Sequence, residues 1–251
     1  MRQAKAKIIS NEITAGVHLI WLDCPKIASE AKPGQFVMIK CGDGEKFQLR
    51  RPFSIHQVDK KGFALLFNIV GRGTQWLAQC QTEESLDILG TLGNGFSIAP
   101  SSKNLLLVAG GIGVAPLYYL VQEALKEKRS VTLLYGTADN KRLPIPPPLK
   151  LVSATEDGSV GKRGMITDIL PDYIGWADQI FACGPLPMYK TMAKMPELRD
   201  KQVQVSLEVR MGCGLGVCYG CTIKTKNGLK QVCKDGPVFD LDDILWDELK
   251  D

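Results

Sequence analysis

The sequence predicts a protein of mixed β and α/β class: an antiparallel β-barrel, then a parallel-sheet domain, then a small C-terminal domain. Three observations predict this order. Short apolar segments separated by turn residues occupy 1–97, apolar strands alternate with helical segments over 98–208, and a glycine- and cysteine-rich piece covers 209–251. Closely spaced strands without long helices favour an antiparallel barrel. Strands that alternate with helices favour parallel βαβ units.

The composition narrows the class of function. Of the 251 residues, 45% are hydrophobic and 23% are charged, as in a soluble globular protein with a core. No apolar run approaches the roughly 20 residues that span a bilayer, and the N-terminus lacks the apolar segment of a signal peptide. The net charge of +4 comes from scattered basic residues, which argues against a nucleic-acid interface. We therefore expect a cytoplasmic protein without a membrane or nucleic-acid partner.

The first domain contains five segments that we interpret as strands. They are rich in branched and apolar residues and are bounded by turn signals such as KPG, GDG and DKKG. Their sequences are AKIISNEI, VHLIWLDC, QFVMIKC, FALLFNIV and SLDILG. A short helix is predicted at GTQWLAQC. Cys24, Cys41 and Cys80 lie near the ends of apolar stretches, so we expect them to be small buried hydrophobic residues.

The second domain alternates buried strands with helices. LLLVAGG, SVTLLYG, LVSATED and QIFACG are the predicted strands, and LPMYKTMAKM is one predicted helix. The other helix, APLYYLVQEALKEK, has apolar residues at helical spacing on one face. These residues are Leu117, Leu120, Val121, Ala124 and Leu125. PIPPPLK is a stiff connector that cannot form regular helix.

Four of the eight cysteines lie close together near the C-terminus, at Cys213, Cys218, Cys221 and Cys233. Their C-x4-C-x2-C order with a later fourth cysteine is that of plant-type two-iron ferredoxins. Zinc sites more often pair two C-x2-C units or include histidine, and no histidine lies nearby. The spacing predicts a [2Fe–2S] cluster, with zinc as the alternative. Either would stabilise a domain too small to hold a core alone.

Glycines alternate with these cysteines. A backbone without side chains can bend tightly around a cluster and direct its N–H groups at the sulfur atoms. The glycines concerned are Gly212, Gly214, Gly216 and Gly220. Cys233 follows Cys221 after a shorter gap than plant ferredoxins have, which points to a different family.

A flavin site is predicted in the barrel. In LRRPFSIH an arginine can pair with a pyrophosphate, and a serine hydroxyl can form a hydrogen bond to a flavin ring atom. An ordinary strand with a basic turn would have the same sequence pattern. NIVGRGT opens a short helix whose N-terminus can hold a phosphate, and GTLGNGF closes the barrel segment. The candidate residues are Arg51, Pro52, Phe53, Ser54, Asn68, Ile69, Val70, Gly73 and Thr74. We assign no role to His56, since a lone histidine at a strand end is more often structural.

A nucleotide site is predicted in the second domain. LLLVAGGIGVAPLYYL reads as strand, glycine turn and helix, with Gly111, Gly113 and Pro116 in the places of G-x-G-x-x-G. Proline suits the first turn of a helix, although a tight βα turn without a ligand would look similar. FACGP adds Cys183 and Gly184 at the end of a later strand. In the ferredoxin reductase superfamily, which the flavin motifs also resemble, these segments hold NAD(P).

The order of motifs resembles one family closely. EVRMGCGLGVCYGCTIKT and QVCKDGPVF are similar to the cluster segment of electron transfer subunits of class 1B dihydroorotate dehydrogenase. RRPFSI, GTLGNGF and GGIGVAPLY also match, so the resemblance covers essentially the whole chain. Thr91 stands where the family form of the turn has proline.

The resemblance implies a relay of electrons. A separate FMN-containing catalytic subunit oxidises dihydroorotate to orotate, and electrons pass through the [2Fe–2S] cluster and FAD of this chain to NAD⁺. A heterotetramer with two copies of each subunit is expected. No side chain here is expected to act on dihydroorotate, so no catalytic residue is predicted. NAD is expected on family grounds, although Lys141 and Arg142 follow a strand where they could bind a 2′-phosphate.

Three other functions stay open at this point. A related subunit linked to ferredoxin or sulfide would bind the same cofactors without depending on dihydroorotate. A free-standing reductase would reduce a soluble acceptor without a tightly held partner. A zinc-stapled binding module would contain neither flavin nor labile sulfide, and the flavin motifs argue against it. The segment 235–239 follows the last cysteine and is given no role.

Overall fold

The computed structural model describes residues 2–42, 48–141, 143 and 149–249. Arg142, part of the GDG turn and residues 144–148 of the proline-rich connector lie outside the described residues. The described chain forms a closed barrel, a mostly parallel sheet and a small two-stranded piece, so the predicted fold class is confirmed.

The barrel has six antiparallel strands in the order β1-β2-β5-β4-β3-β6. Their bounds are β1 Arg2–Thr14, β2 Val17–Asp23, β3 Phe36–Ile39, β4 Arg51–Val58, β5 Gly62–Phe67 and β6 Ser85–Leu92. Helix α1 spans Pro25–Ala28, and helix α2 spans Arg72–Gln79. In β2 every second residue is buried, which is the period of a strand with one face on a core. The flavin motif RPFSIH forms most of β4.

The second part is a sheet of parallel strands in the order β10-β9-β8-β7-β11-β12. These strands are β7 Asn104–Gly110, β8 Ser130–Thr137, β9 Lys150–Thr155, β10 Lys162–Arg163, β11 Gln179–Cys183 and β12 Gln202–Ser206. Its helices are α3 Val114–Lys126, α4 Pro171–Ile174 and α5 Leu186–Met192. Short 3-10 turns lie at Gly111–Gly113, Ile166–Asp168, Pro196–Leu198, Leu241–Asp243 and Trp246–Glu248. The centres of β7 and β11 are fully buried because helices cover the sheet.

The order of these strands places a switch point between β7 and β11. From β7 the chain moves to one side through β8 and β9, and it returns to pair β11 with the other side of β7. In open α/β sheets, ligands bind in the crevice beyond the carboxyl ends of strands at such a point. The turns after β7 and after β11 carry the two predicted nucleotide motifs.

The C-terminal part is a hairpin with two extensions. Strands β13 (Thr222–Thr225) and β14 (Gly228–Gln231) pair with each other, and helix α6 (Val232–Asp235) follows. Strand β15 (Val238–Asp240) then pairs antiparallel with β12 and becomes the seventh strand of the large sheet. The segment after the last cysteine is therefore built into the nucleotide sheet.

One apolar cluster holds the three parts together. It contains Met38 of the barrel, Leu106 of the large sheet, and Cys221 and Ile223 of the C-terminal part. Burial of each such side chain contributes about 1.5–3 kcal/mol. Among the helices of the described residues, none has the length and hydropathy that crossing a membrane would require.

Candidate functional site

A cavity of about 980 Å³ lies where the three parts of the chain meet. The barrel contributes Phe53 and Ser54 to its wall, the nucleotide sheet contributes Gly184, and the cysteine loop contributes Cys221. Cofactor sites are typically clefts of about 300–1,000 Å³ between structural units, so the cavity has the size and position of one.

The flavin motif brings most of its predicted residues to this cavity. Its wall includes Pro52, Phe53, Ser54, Asn68, Val70 and Thr74. Ile69 is not part of the wall, but its side chain is exposed, as is that of Val70. Val70 and Gly71 donate backbone hydrogen bonds to Thr74 Oγ1, at 2.9 and 3.1 Å, and so shape the turn that starts α2.

Arg51 and Gly73 lie together beside the cavity, outside its wall. A Cβ on Gly73 would stand 3.1 Å from Arg51 Nε, so the guanidinium packs against the first turn of α2. A helix N-terminus carries a partial positive charge and free N–H groups. The arginine and the helix start together form a place for an anion such as a pyrophosphate.

The two nucleotide motifs touch each other. A Cβ on Gly113 would stand 2.1 Å from the carbonyl oxygen of Cys183, so only glycine allows this approach of the two turns. Gly111 has φ +53°, and nothing among the described residues lies within 4 Å of where its Cβ would be. Pro116 is buried in the first turn of α3, where a missing N–H costs nothing.

Gly184 lines the cavity, whereas Cys183 is fully buried behind it. Burial, followed by the nearby Glu208 carboxyl, raises the pKa of the Cys183 thiol. The Gly184 N–H donates to the Tyr189 hydroxyl at 2.8 Å, and that hydroxyl donates to the Ser206 carbonyl at 2.6 Å. This chain of bonds holds the turn after β11 against the end of β12.

Glu208, Arg210 and Tyr189 also line the cavity, although none of them was a candidate residue in the sequence. Glu208 and Arg210 follow β12 and line the cavity, and Tyr189 lines it from α5. Desolvation by the surrounding protein raises the pKa of the Glu208 carboxyl, although Glu208 is an exposed residue. Glu208 and Arg210 lie in the segment EVRMGC that resembles the family, but the sequence does not show that the packing of β12 beside β11 brings them to the cavity.

The four cysteines of the loop lie in two neighbouring pairs. Burial would raise the pKa of Cys213, but backbone N–H groups, that of Leu215 first, and the Cys218 thiol lower it to about 6. Burial and then the adjacent Cys221 thiol raise the pKa of Cys233 to about 12. Cys213 therefore pairs with Cys218, and Cys221 with Cys233.

Backbone N–H groups point at these sulfur atoms, as the glycines led us to expect. Leu215 donates to Cys213 Sγ at 3.3 Å, and Gly216 donates to Cys233 Sγ at 3.2 Å. Gly214 and Gly216 have φ of +71° and +78°, which a larger residue rarely adopts. A Cβ on Gly214 would stand 2.6 Å from Met38 Cγ, so the loop packs directly on β3.

The residues present fit a [2Fe–2S] cluster. Among the described residues, no three ligand-type side chains surround a common point as the ligands of one ion do. Two pairs of thiols suit two irons with two thiolates each. Gln231 Nε2 is also buried without a partner among the described residues, and Oε1 of the same side chain lies 3.1 Å from the Cβ position of Gly216 in the cysteine loop. A sulfur atom of a bound cluster would satisfy that donor.

The turn GTLGNGF holds the segment that follows the last cysteine. Asn94 Nδ2 donates to the carbonyl oxygens of Lys234 and Asp235, at 3.2 and 3.0 Å. The Asn94 N–H donates to the Gly236 carbonyl at 2.6 Å. Pro237 then reaches the cavity wall. The turn thus ties the cysteine loop to the barrel, and the segment 235–239 reaches the cavity through Pro237.

The C-terminal part matches a family model. Residues 208–245 match the iron–sulfur cluster binding domain of dihydroorotate dehydrogenase B. The match includes all four cysteines of the loop and ends beyond β15.

Similar proteins cover nearly the whole chain. The dihydroorotate dehydrogenase B (NAD(+)) electron transfer subunit of Desulforamulus reducens is 37% identical over 96% of this chain and 98% of its own. The subunit of the same name from Caldanaerobacter subterraneus is 34% identical over 96% of this chain and 98% of its own. Among solved structures, a chain of an NADH-dependent reduced ferredoxin-NADP oxidoreductase is 30% identical, with a TM-score of 0.86 over 98% of this chain and 91% of its own.

Proposed function

The chain belongs to the family of dihydroorotate dehydrogenase B electron transfer subunits, and we propose that it carries electrons from an FMN-containing catalytic subunit to NAD⁺. The reaction served is the oxidation of dihydroorotate to orotate in pyrimidine biosynthesis. Dihydroorotate loses two electrons and two protons, NAD⁺ gains a hydride, and the second proton is released. The cofactors of the chain are a [2Fe–2S] cluster, FAD and NAD.

The observation that carries this proposal is the single cavity shared by all three parts. Its wall runs from Ser54 in the flavin strand past Gly184 in the nucleotide sheet to Cys221 in the cluster loop. The cluster supplies single-electron transfer and FAD supplies exchange between single electrons and a hydride, which is why both are needed. Residues of the chain bring the three sites to one cleft.

We assign cofactor residues by their place in the fold. For FAD they are Arg51, Pro52, Phe53, Ser54, Asn68, Ile69, Val70, Gly73 and Thr74. For NAD they are Gly111, Gly113, Pro116, Cys183 and Gly184, with Cys183 acting through its backbone because its thiol is buried. The cluster ligands are Cys213, Cys218, Cys221 and Cys233. Lys141 follows β8. The proposed function does not depend on whether Lys141 helps to select NAD over NADP.

The cluster loop also supplies a surface for the catalytic subunit. Leu215, Val217 and Tyr219 expose 40%, 70% and 70% of their surface around the exposed Cys218. Residues 211–221 contain no charged side chain. Exposed apolar groups around a redox centre are typical of a docking site, because contact there brings the donor close. We propose that the FMN-containing subunit binds this face, in a heterotetramer with two copies of each subunit.

The test is anaerobic NADH formation from dihydroorotate by the catalytic subunit, with and without this chain. We expect NADH only when the chain is present. The matched control is Cys218→Ser, which keeps the flavin and nucleotide residues but lacks a cluster ligand. NADH formation at the wild-type rate with that variant would contradict a path through the cluster.

A second candidate is a subunit of an NADH-dependent ferredoxin-NADP oxidoreductase, since a chain of such an enzyme is similar over 98% of this one. The same assay separates the two. If dihydroorotate yields no NADH, yet NADH and reduced ferredoxin together reduce NADP⁺ once the partner subunit of that enzyme is added, the second candidate is right. If NADH does not reduce the bound flavin at all, both are wrong.

A further inference from the structure

His56 lies in β4, the strand with the flavin motif, at its contact with α3, the helix that follows the nucleotide motif. The pairing of β4 with β5 shifts register between Ile55 and Gln57, so His56 occupies a β-bulge. A bulge redirects the side chain of the extra residue, and bulges are common beside functional sites. Here the imidazole contacts α3 of the second domain and is only 5% exposed.

The contacts of this ring are specific. His56 Nδ1 lies 2.9 Å from the carbonyl oxygen of Ala115. A carbonyl only accepts, so Nδ1 carries the hydrogen and donates it. Burial lowers the pKa of His56 to about 4, which keeps the ring neutral near pH 7. The ring also stacks on Tyr118, with centroids 5.0 Å apart and planes at 27°.

This hydrogen bond links β4, which carries the flavin motif, to α3, which follows the nucleotide motif. His56 is two residues beyond Ser54, and Ala115 is two residues beyond Gly113. Both Ser54 and Ala115 line the cavity. A second bond from the same helix, Tyr119 Oη to the Ala31 carbonyl at 3.0 Å, also reaches the barrel, but it lies a turn further from the glycine turn. Of these two bonds, that of His56 lies closer along the chain to the predicted flavin and nucleotide residues.

We propose that His56 is a positioning residue for hydride transfer, which holds the nucleotide turn in register with the flavin strand through its Nδ1–H bond to Ala115. The proposal rests on the proposed function, because it concerns the step between NAD and FAD. Reacting groups must approach within about 3–3.5 Å, and a 1 Å misplacement can cost 10²-fold in rate. His56 is not part of the cavity wall, and it acts through its contacts with α3.

The test uses the protein loaded with FAD and cluster and measures flavin reduction by NADH in a stopped-flow instrument. His56→Phe keeps a ring on Tyr118 but removes the donor. We expect the limiting rate at saturating NADH to fall about tenfold, while the dissociation constant of NAD⁺ changes less than threefold, since alignment rather than binding is lost. His56→Asn places a donor close to the original Nδ1 and should recover most of the rate.

Tyr119→Phe is the matched control, because it removes one interdomain hydrogen bond from the same helix. It should keep a rate within about twofold of wild type. A wild-type rate in His56→Phe, an Asn variant as slow as the Phe variant, or a Tyr119→Phe variant as slow as His56→Phe would each overturn the proposal. If His56→Phe does not retain FAD, His56→Gln replaces it, since its amide sits one atom beyond the Nδ1 position.

Failure of the proposed function looks different from failure of this inference. Wild-type protein whose flavin NADH does not reduce would contradict the function, whatever the variants do. Wild-type protein that reacts normally, beside a His56→Phe variant that reacts equally well, would contradict only the positioning role.

Discussion

At the scale of single residues, the eight cysteines divide by their place in the fold, with four outside the C-terminal loop and four within it. Cys24, Cys41, Cys80 and Cys183 are buried in the barrel and the nucleotide sheet. Burial raises the pKa of Cys41, Cys80 and Cys183, with Cys80 at about 12, so these thiols stay protonated at neutral pH. In the loop, backbone N–H groups hold the pKa of Cys213 at about 6. A thiolate is the form that binds iron, so Cys213 is prepared to bind it, whereas burial and the neighbouring Cys221 thiol raise the pKa of Cys233 to about 12.

Cys218→Ser tests this division. The exposed Cys218 is one of the four proposed ligands, and a hydroxyl is a poor substitute for a thiolate on iron. We expect iron and labile sulfide to fall to about a tenth of the wild-type content, while most FAD stays, because the flavin residues lie on the barrel. Metal analysis and flavin absorbance measure both. Cys24→Ala is the control and should keep its iron; equal loss of FAD and iron in Cys218→Ser would contradict separate sites.

The sequence predicted the residues whose chemistry is local. Four cysteines at fixed spacing indicate a cluster wherever the loop lies, and glycines mark turns that no other residue tolerates. Glu208 and His56 show the limit of this reasoning. Each of them lies next to an element that is distant in sequence: Glu208 lies near Cys183 of β11, and His56 bonds to α3. No pattern within a few residues of either could reveal that contact.

At the scale of elements, two βα turns make the proposed nucleotide site, and one close contact joins them. Gly113 has φ −59°, which any residue adopts, so glycine is needed there for space alone. A Cβ would lie 2.1 Å from Cys183 O and 2.8 Å from Gly184 N, and both of these atoms are backbone. Neither turn can move aside without disturbing its strand.

Gly113→Ala should therefore separate the turns. We expect the affinity for NAD⁺ to fall at least tenfold and the stability by about 1–3 kcal/mol, as for overpacking elsewhere, while FAD stays bound. Calorimetric titration of NAD⁺ and thermal unfolding measure the two effects. Gly175→Ala is a close control, since Gly175 has φ −62° and nothing among the described residues lies within 4 Å of its Cβ position. Equal NAD⁺ affinity in the two variants would count against this site.

The elements themselves were largely predictable, and their bounds were not. Apolar runs indicate β7, β8 and β11 because buried parallel strands need apolar residues on both faces. Strand β4 was not among the predicted apolar strands, since a strand that starts with an arginine and a proline does not look apolar. Strand β15 could not be predicted from the sequence either, because it pairs antiparallel with β12, which lies about thirty residues earlier.

At the scale of the whole molecule, three pieces form one site because each packs on the other two. The cysteine loop contacts β3 at Met38, Asn94 of the barrel holds the segment after Cys233, and β15 joins the nucleotide sheet. The order of motifs along the chain predicted the three parts and their cofactors. It did not predict that Cys221 and Ser54 share a wall, since that follows from how the parts pack.

This arrangement leaves one face of the cluster loop for the partner, and Val217→Asp tests it. Val217 is 70% exposed beside Cys218, so a carboxylate there costs the free protein little. In a docked complex the same charge would be buried without a partner, which costs several kcal/mol and weakens association strongly. We expect dihydroorotate-dependent NADH formation at limiting concentration of this chain to fall at least tenfold, and reduction of the bound flavin by NADH to stay unchanged. Ile13→Asp is the matched control, because Ile13 is 69% exposed on β1 of the barrel. If both variants support the wild-type rate, the catalytic subunit binds another face; if both lose it, the effect is one of charge on the chain and not of docking at the loop.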